Sequence, residues 1–406
     1  MKIAILSHLK YPIAEPFKGG LEMITHALTK GLQARGHQVD LFAIAGTDPA
    51  LNPIIVEMPR IDHEISGVPA PDHPEFNDEF VGHHHIYLDL MLKMREADYD
   101  VVFNNTLHYI PITMAPAARM PVVTTLHVPP FPFLQSAVMA GRHYGNNHYV
   151  AISEHVRWVW GQFDIIDDVV YNGIDLDFFE FQSKAGPEKR AFWCGRVCHV
   201  KAPHLALKAA RRAGVFLNFA GPISDEAYYE REVKPLLDDR YNRYLGHLEQ
   251  HEMRRHLADA AVYLFTSIWD EPYGLVLAEA LACGTPIAAF RSGAVPEILS
   301  EKTGCIVDKG DEVALTGALL EAMTLNRHDC RARAEAFCDR ERMVDEYAAL
   351  FERIAATSKV KKRRNAQRMD TSFVPHRQPL SIPNRVQIPL QIPVLRATSE
   401  RDVLGI

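Results

Sequence analysis

The stretch WDEPYGLVLAEALACGTPIAAFRSGAVPEI, at residues 269–298, carries the pattern that decides the fold. An apolar run at 260–266 precedes it and predicts a strand. A polar turn follows, then apolar residues at helical spacing over 274–283, a helix-ending Gly284 and a short strand at 286–289. A strand, a helix and a second strand in this order are typical of one unit of a parallel α/β sheet.

Two carboxylates flank the start of the predicted helix. Glu271 lies in the loop before it, and Glu279 lies eight residues further on, inside it. On one continuous helical stretch that spacing corresponds to about 12 Å. Pro272 suits a first helical turn, and Gly274 lets a ligand approach the backbone closely. Because the free N–H groups of a helix start attract anions, we expect a diphosphate here, with a hydroxyl-rich group at each end.

The size and composition of the chain exclude several classes of protein. Its 406 residues exceed one compact core and predict two domains. The net charge of -7 argues against a general nucleic-acid-binding protein. No apolar run approaches the roughly 18 residues of a membrane span, and the opening MKIAILS predicts a strand rather than a signal peptide. Six cysteines without paired metal-binding spacing fit a reduced, cytoplasmic protein without a zinc site.

The first half of the chain predicts a second α/β unit. A strand is followed by a Pro- and Gly-rich loop that ends at Gly19 and Gly20, and then by a helix at 21–35. The glycine pair lacks the GxGxxG spacing of a dinucleotide site, so it fits a phosphate or sugar loop, or a simple tight turn. The sequence therefore predicts no dinucleotide cofactor.

Histidines of the first half are further candidates. His127 directly follows a predicted strand, where open α/β sheets bind their ligands, although loop carbonyls could equally satisfy its ring. The run at 83–85 is three adjacent histidines. Adjacent residues of a helix do not face one point, so we predict no metal site there.

The order of elements predicts two doubly wound parallel-sheet domains joined by a polar linker. We expect an N-terminal domain at 1–178 and a C-terminal domain at 186–340. A helix at 341–357 is expected to cross back to the N-terminal domain. The basic, Pro-rich segment 358–406 is expected to be disordered, either solvated or in contact with an anionic membrane surface.

Two cations of the second half supply positive charge for a diphosphate bound at the predicted helix start. Arg196 and Lys201 follow a predicted strand, and together with free N–H groups they form a clamp for a diphosphate. The carboxylates would repel phosphate, so Glu279 is expected to accept hydrogen bonds from a ribose and Glu271 from a transferred sugar. Taken singly, Arg196 could be a surface salt bridge and Glu279 a helix-face charge.

Residues 271–288, EPYGLVLAEALACGTPIA, resemble the E-x7-E motif of the retaining family-four glycosyltransferases. Four further matches accompany the motif: GRVCHVKA at 195–202, similar to that family's GR-x4-K phosphate clamp, the Gly19-Gly20 loop, NGID at 172–175, and TLH ending at His127. The similarity covers about residues 1–355. It implies the GT-B fold, in which two Rossmann-like domains face a cleft and the C-terminal domain holds most of the nucleotide sugar.

The resemblance also implies roles for single residues. Arg196 and Lys201 would bind the donor diphosphate, and Glu279 the ribose, while Glu271 and His127 would face the donor sugar. Further substrate-binding positions are implied or expected at Gly19, Gly20, Asn172, Tyr273, Gly274, Leu275, Gly246 and His247. One strand ends in FNN, at Asn104 and Asn105, where many relatives have a His-containing motif on the acceptor side.

We therefore predict a retaining glycosyltransferase that moves a hexosyl-type group from a nucleotide-diphosphate sugar, UDP by default, to an acceptor hydroxyl. The acceptor is a sugar, a lipid-linked sugar or a small metabolite, and neither a metal nor a cofactor is expected. The alternatives are a sugar-nucleotide 2-epimerase-like isomerase of the same fold and a non-catalytic sugar-nucleotide binder. We expect a cytoplasmic protein, whose basic tail is either solvated or in peripheral contact with the inner membrane face.

Overall fold

The computed structural model describes residues 1–58, 78–142, 144 and 146–368. Most of the predicted tail, 369–406, lies outside the described residues. No helix in the described part of the chain is both long enough and apolar enough to cross a membrane.

The first half builds one sheet with helices on its faces. Its strands are β1 (Lys2–Ser7), β2 (Gln38–Ala43), β3 (Ile54–Ile55), β4 (Val101–Asn105), β5 (Val122–Leu126), β6 (Asn147–Ala151) and β7 (Ile166–Val169). Its α-helices are α1 (Gly20–Ala34), α2 (Asp78–Lys93), α3 (Tyr109–Met114), α4 (Pro132–Gly141) and α5 (Glu154–Trp160). The strands are all parallel, in the order β3-β2-β1-β4-β5-β6-β7.

The second half repeats this architecture. Its strands are β8 (Ala191–Cys194), β9 (Leu217–Ala220), β10 (Asn242–Tyr244), β11 (Val262–Phe265), β12 (Ile287–Phe290) and β13 (Gly304–Val307). Its helices are α6 (Pro203–Ala213), α7 (Glu226–Tyr228), α8 (Gln250–Asp259), α9 (Leu275–Ala282), α10 (Val295–Ile298), α11 (Glu312–Ala322), α12 (Arg327–Phe337) and α13 (Arg340–Arg368). The parallel order is β10-β9-β8-β11-β12-β13.

Both sheets reverse their strand order beside their first strand. β1 pairs with both β2 and β4, and β8 pairs with both β9 and β11. Such a reversal opens a crevice at the carboxyl ends of the strands, where open α/β sheets bind ligands. The predicted fold class, two doubly wound parallel-sheet domains, is confirmed.

Three predicted helix boundaries differ from the structure. The sequence predicts one helix at 225–237. In the structure this segment is α7 continued by a π-helical turn (Tyr229–Val233) and a 3₁₀ turn (Lys234–Leu236), because Pro235 has no N–H and its ring crowds the preceding turn. α9 begins only at Leu275, after the left-handed Gly274 (φ 91°), so the 12 Å estimate for a continuous helix does not apply.

The last helix is also longer than expected. α13 runs to Arg368, beyond the predicted end at 357, because Lys, Arg, Gln and Ala favour helix and the next proline comes only at 375. The first part of the segment expected to be disordered is therefore helical.

α13 packs against the first sheet. A Cβ atom placed on Gly31 of α1 would lie 2.7 Å from Val344 Cγ2, so only glycine permits this approach. The rings of Tyr347 and Phe351 each lie 5.2 Å from that of Phe103 in β4. The first part of α13 thus packs on the N-terminal half.

Candidate active site

A cleft of about 1230 Å³ lies between the two halves. His8, Thr106 and His127 line it, and each directly follows a strand of the first sheet. Nine of the predicted site residues line the cleft: Gly19, Gly20, His127, Asn172, Lys201, Glu271, Tyr273, Gly274 and Leu275. The strand-end crevice of the fold therefore brings these nine residues together.

The donor loop, residues 267–274, fixes Glu271 from several sides. The Ser267 hydroxyl donates a 2.8 Å hydrogen bond to Glu271 Oε1, and the Lys201 ammonium contacts the same oxygen. The Ala294 N–H donates to the Glu271 carbonyl at 3.0 Å. A Cβ atom on Gly293 (φ 52°) would lie 2.0 Å from that carbonyl oxygen, so the approach requires glycine.

Lys201 reaches this carboxylate because its own loop is tied to the end of β11. The Thr266 hydroxyl donates to the Lys201 carbonyl at 2.9 Å, and the Ile268 N–H donates to the Val200 carbonyl at 2.9 Å. The sequence assigned Lys201 to a diphosphate and Glu271 to a sugar. The structure places the two side chains in direct contact, at the start of α9.

The N-termini of α1 and α9 face each other across the cleft. A Cβ atom on Gly20 would lie 2.5 Å from Leu275 Cδ1, so Gly20 permits the close approach of the two halves. Helix N-termini carry partial positive charge and free N–H groups. Together with Lys201 they form an environment that favours an anion.

His127 lies at the end of β5 and is held by a residue that the sequence did not single out as a ligand. Its Nε2 lies 2.5 Å from Asn105 Oδ1. Burial lowers the pKa of His127 to about 3, so the ring is neutral at physiological pH. Asn105 is the last residue of the FNN sequence that ends β4.

A second pair in the cleft was not predicted. His8 Nε2 lies 3.1 Å from Glu22 Oε1, and both residues are buried. Burial raises the pKa of Glu22, but the His8 imidazole and nearby backbone N–H groups outweigh it and hold this pKa below its usual value. The available sequence signals were a histidine directly after a strand and an acid in the first turn of the next helix.

An aromatic wall, formed by Phe80, Tyr109 and Phe133, stands on the N-terminal side. Its ring centroids lie 5.9–6.3 Å apart. His108 stacks on Tyr109 at 4.5 Å, and burial lowers the pKa of His108 to about 3. The preceding Leu107 is held at φ 57°, which is unusual for a branched residue. The spacing of these residues follows no simple period, so the sequence did not reveal the wall.

Four predicted residues do not line the cleft: Arg196, Glu279, Gly246 and His247. Glu279 is buried within α9, and this burial raises its pKa to about 7. His247 is exposed, and the Gly246 carbonyl accepts a 2.8 Å hydrogen bond from the Gly221 N–H. The roles of these four residues stay predictions.

The adjacent histidines of α2 have different surroundings. His83 lines the cleft, whereas His84 Nδ1 lies 2.8 Å from the Tyr109 hydroxyl. Within the described ranges, no group of three or more His, Cys, Asp or Glu side chains is arranged to hold a metal ion.

Two family models match this sequence. Residues 18–178 match the model for Glycosyltransferase Family 4, and residues 176–337 match that for Glycosyl transferases group 1. A glycogen synthase of Mycobacterium tuberculosis is 26% identical, over 81% of this chain and 87% of that protein. A D-inositol 3-phosphate glycosyltransferase of Xylanimonas cellulosilytica is 27% identical, over 79% and 88%.

Solved structures share the architecture. A sucrose-phosphate synthase from Thermosynechococcus elongatus superposes with a TM-score of 0.67 at 18% identity, over 88% of this chain and 99% of that one. HepE of Anabaena in complex with UDP gives a TM-score of 0.66 at 18% identity, over 87% and 100%. At this level of identity the likeness concerns the fold.

Proposed function

We propose that this chain, whose two halves each match a glycosyltransferase family model, transfers a hexosyl-type group from a UDP-sugar to an acceptor hydroxyl with retention at the anomeric carbon. One observation carries the proposal. Lys201 and Glu271 meet at the start of α9, inside a cleft formed by both halves. A nucleotide sugar presents phosphates, which a cation binds, and hydroxyl groups, which donate hydrogen bonds to a carboxylate.

The donor would lie along the start of α9. Its diphosphate accepts hydrogen bonds from Lys201 and from the helix N-terminus, with Arg196 as a second cation. Glu271 would repel the phosphates, so it accepts hydrogen bonds from hydroxyl groups of the sugar. UDP is the favoured nucleotide, and the complexes of Anabaena HepE with UDP and with UDP-glucose support this choice.

The reaction needs stabilisation of a leaving diphosphate. As the bond from the anomeric carbon to the phosphate oxygen breaks, negative charge grows on that oxygen. Lys201 and the α9 dipole stabilise this charge, which is the task that metal ions perform in other transferases. Arg196, which does not line the cleft in this structure, would join them only through a movement of its side chain toward the bound donor. We therefore propose transfer without a metal ion. The acceptor oxygen bonds to the anomeric carbon on the face from which the phosphate departs, and its proton passes to the departing phosphate oxygen. Attack on that same face accounts for retention.

The acceptor would lie against the N-terminal half. His8, Glu22 and two members of the aromatic wall, Phe80 and Phe133, line that side of the cleft. Stacked rings beside polar groups suit a ring with an apolar face and polar edges. This side would deliver the attacking hydroxyl toward the donor sugar.

Incubation with UDP- and GDP-sugars, with and without EDTA, tests the proposal. We expect slow release of free UDP that EDTA does not abolish, and NMR of a transfer product should show the donor's anomeric configuration. Conversion of the sugar without nucleotide release would point instead to an isomerase. Donor binding with neither reaction would point to a non-catalytic binder.

A further inference from the structure

Asn105 sits at the centre of a buried hydrogen-bond chain that ends on His127. Its Oδ1 lies 2.5 Å from His127 Nε2, and its Nδ2 donates to Thr25 Oγ1 at 2.7 Å. The Thr25 hydroxyl in turn donates to the Leu21 carbonyl at 2.7 Å. Asn105 and Thr25 are both fully buried. The chain links β5 to the first turns of α1.

Each donor and acceptor in this series of hydrogen bonds has one role. The Thr25 hydroxyl donates its only proton to the Leu21 carbonyl, so its oxygen must accept from the Asn105 amide. That fixes the Asn105 carbonyl oxygen toward His127. A neutral imidazole carries one N–H, and here it must lie on Nε2, which leaves Nδ1 as an acceptor. No partner for Nδ1 is found among the residues that the structure describes, and His127 lines the cleft.

We infer that Asn105 is a positioning residue that holds His127 in the Nε2–H tautomer and presents its Nδ1 as a hydrogen-bond acceptor for a hydroxyl group of the donor sugar. This inference rests on the proposed function for the identity of the ligand, but the tautomer itself does not. The FNN ending of β4 thereby gains a role. Its second asparagine takes part in the donor site through His127, without touching the donor.

The environment of His127 supports a fixed tautomer. Burial keeps its pKa low, and His8 at the end of β1 is the titratable neighbour whose charge acts on it in the same direction. The ring therefore does not switch between charge states near neutral pH. Its hydrogen-bonding character is set by Asn105 alone.

The tautomer is tested directly by ¹⁵N NMR of protein labelled at histidine, with the His127 signals identified by their loss in a His127→Gln variant. We expect a protonated Nε2 and a bare Nδ1 in the wild type. In Asn105→Ala the two forms should mix. The matched control is Asn104→Ala, since Asn104 is equally buried but bonds to Thr124 and Thr106. A wild-type ring protonated on Nδ1 would overturn the inference without any variant.

Kinetics test whether the tautomer matters. We expect Asn105→Ala to lower kcat/KM for UDP-sugar turnover about tenfold, while the Kd for UDP stays within about twofold of the wild type. In Asn105→Asp the new carboxylate would raise the pKa of His127 and favour the imidazolium form, in which Nδ1 cannot accept a hydrogen bond, so turnover should acquire a new rise with pH that the wild type lacks. An Asn105→Asp profile that superimposes on the wild type would exclude the positioning role. If the wild type did not bind UDP at all, the proposed donor would be refuted instead.

Discussion

Lys201 is the residue on which the proposed chemistry depends most. Its ammonium contacts Glu271 at the start of α9, where the charge of a leaving diphosphate would develop. We expect Lys201→Ala to lower kcat by about 10²–10³, because a preorganised charge is lost from the transition state. The measurement is UDP release from a UDP-sugar at saturating concentration.

A second lysine provides the control for this substitution. Lys208 lies on α6, pairs with Glu312 at 3.2 Å and does not line the cleft. Lys208→Ala removes the same charge from the same half of the protein, and we expect its turnover to stay near that of the wild type. If kcat were equal in the two variants, Lys201 would have no special part in departure of the diphosphate.

Glu279 predicts a pH dependence of donor binding. Burial raises its pKa to about 7, and an ionised carboxylate is the better acceptor for ribose hydroxyl groups. As the pH falls from 8 to 6, Glu279 takes up a proton and the affinity for UDP should fall. Calorimetric titration at several pH values measures the effect. Glu279→Gln should bind UDP more weakly at pH 8 and should show a smaller dependence, which then comes only from the terminal phosphate of UDP. A dependence unchanged in this variant would refute the ribose assignment.

Sequence reasoning reached those site residues that lie within short continuous motifs. Glu271, Tyr273 and Gly274 could be placed because the whole stretch around them repeats a known pattern. Asn105 could not, since its partners Thr25 and His127 are 80 and 22 residues away in the chain. Contacts of that kind depend on which strands become neighbours, and local periodicity does not report this.

At the scale of elements, α12 joins the ends of two other helices. Its first residue, Arg327, is buried and donates to the carbonyls of Ala258 and Ala260 at the end of α8 and of Cys283 at the end of α9. A further bond reaches the Gln182 carbonyl. The last carbonyls of a helix have no partner within it and carry partial negative charge. One guanidinium therefore satisfies the ends of both helices.

Loss of Arg327 should therefore be costly. We expect Arg327→Ala to lower the free energy of unfolding by about 3 kcal/mol, because several buried carbonyls lose their donor. Urea denaturation followed by circular dichroism measures the shift. Arg243→Ala, at an exposed arginine of β10, should stay within about 0.5 kcal/mol of the wild type. Equal midpoints for the two variants would contradict this account of α12.

The parallel arrangement of the strands was open to prediction, whereas the continuity of the helices was less so. Alternating strands and helices imply parallel sheets, and both sheets are parallel. The sequence predicts one helix at 225–237, but Pro235 cannot donate a helical hydrogen bond, and the segment is divided into shorter helical turns. At Gly274 the backbone sets the boundary of the helix. α9 begins only after this left-handed residue, which lets the donor loop turn into the helix.

At the scale of the whole molecule, the two halves are joined next to the donor loop. The N-cap residue of α5, Ser153, donates a 2.6 Å hydrogen bond to the Pro272 carbonyl. Glu297 of α10 accepts bonds from the N–H groups of Glu154 (2.8 Å) and His155 (2.7 Å), and from the Tyr171 hydroxyl (2.8 Å). A carboxylate from the second half thus caps a helix of the first half.

This cap should control how firmly the halves hold together. Transfer requires both walls of the cleft, whereas UDP is expected to be held mainly by the second half. We therefore predict that Glu297→Ala increases the radius of gyration in small-angle X-ray scattering and lowers turnover about tenfold, with the Kd for UDP changed less than about twofold. Glu301→Ala, at an exposed glutamate shortly after α10, is the control and should change neither quantity. If scattering and turnover were unchanged in Glu297→Ala, the apolar contacts between the halves would be enough to hold them together. If the affinity for UDP fell instead, the first half would also hold the nucleotide.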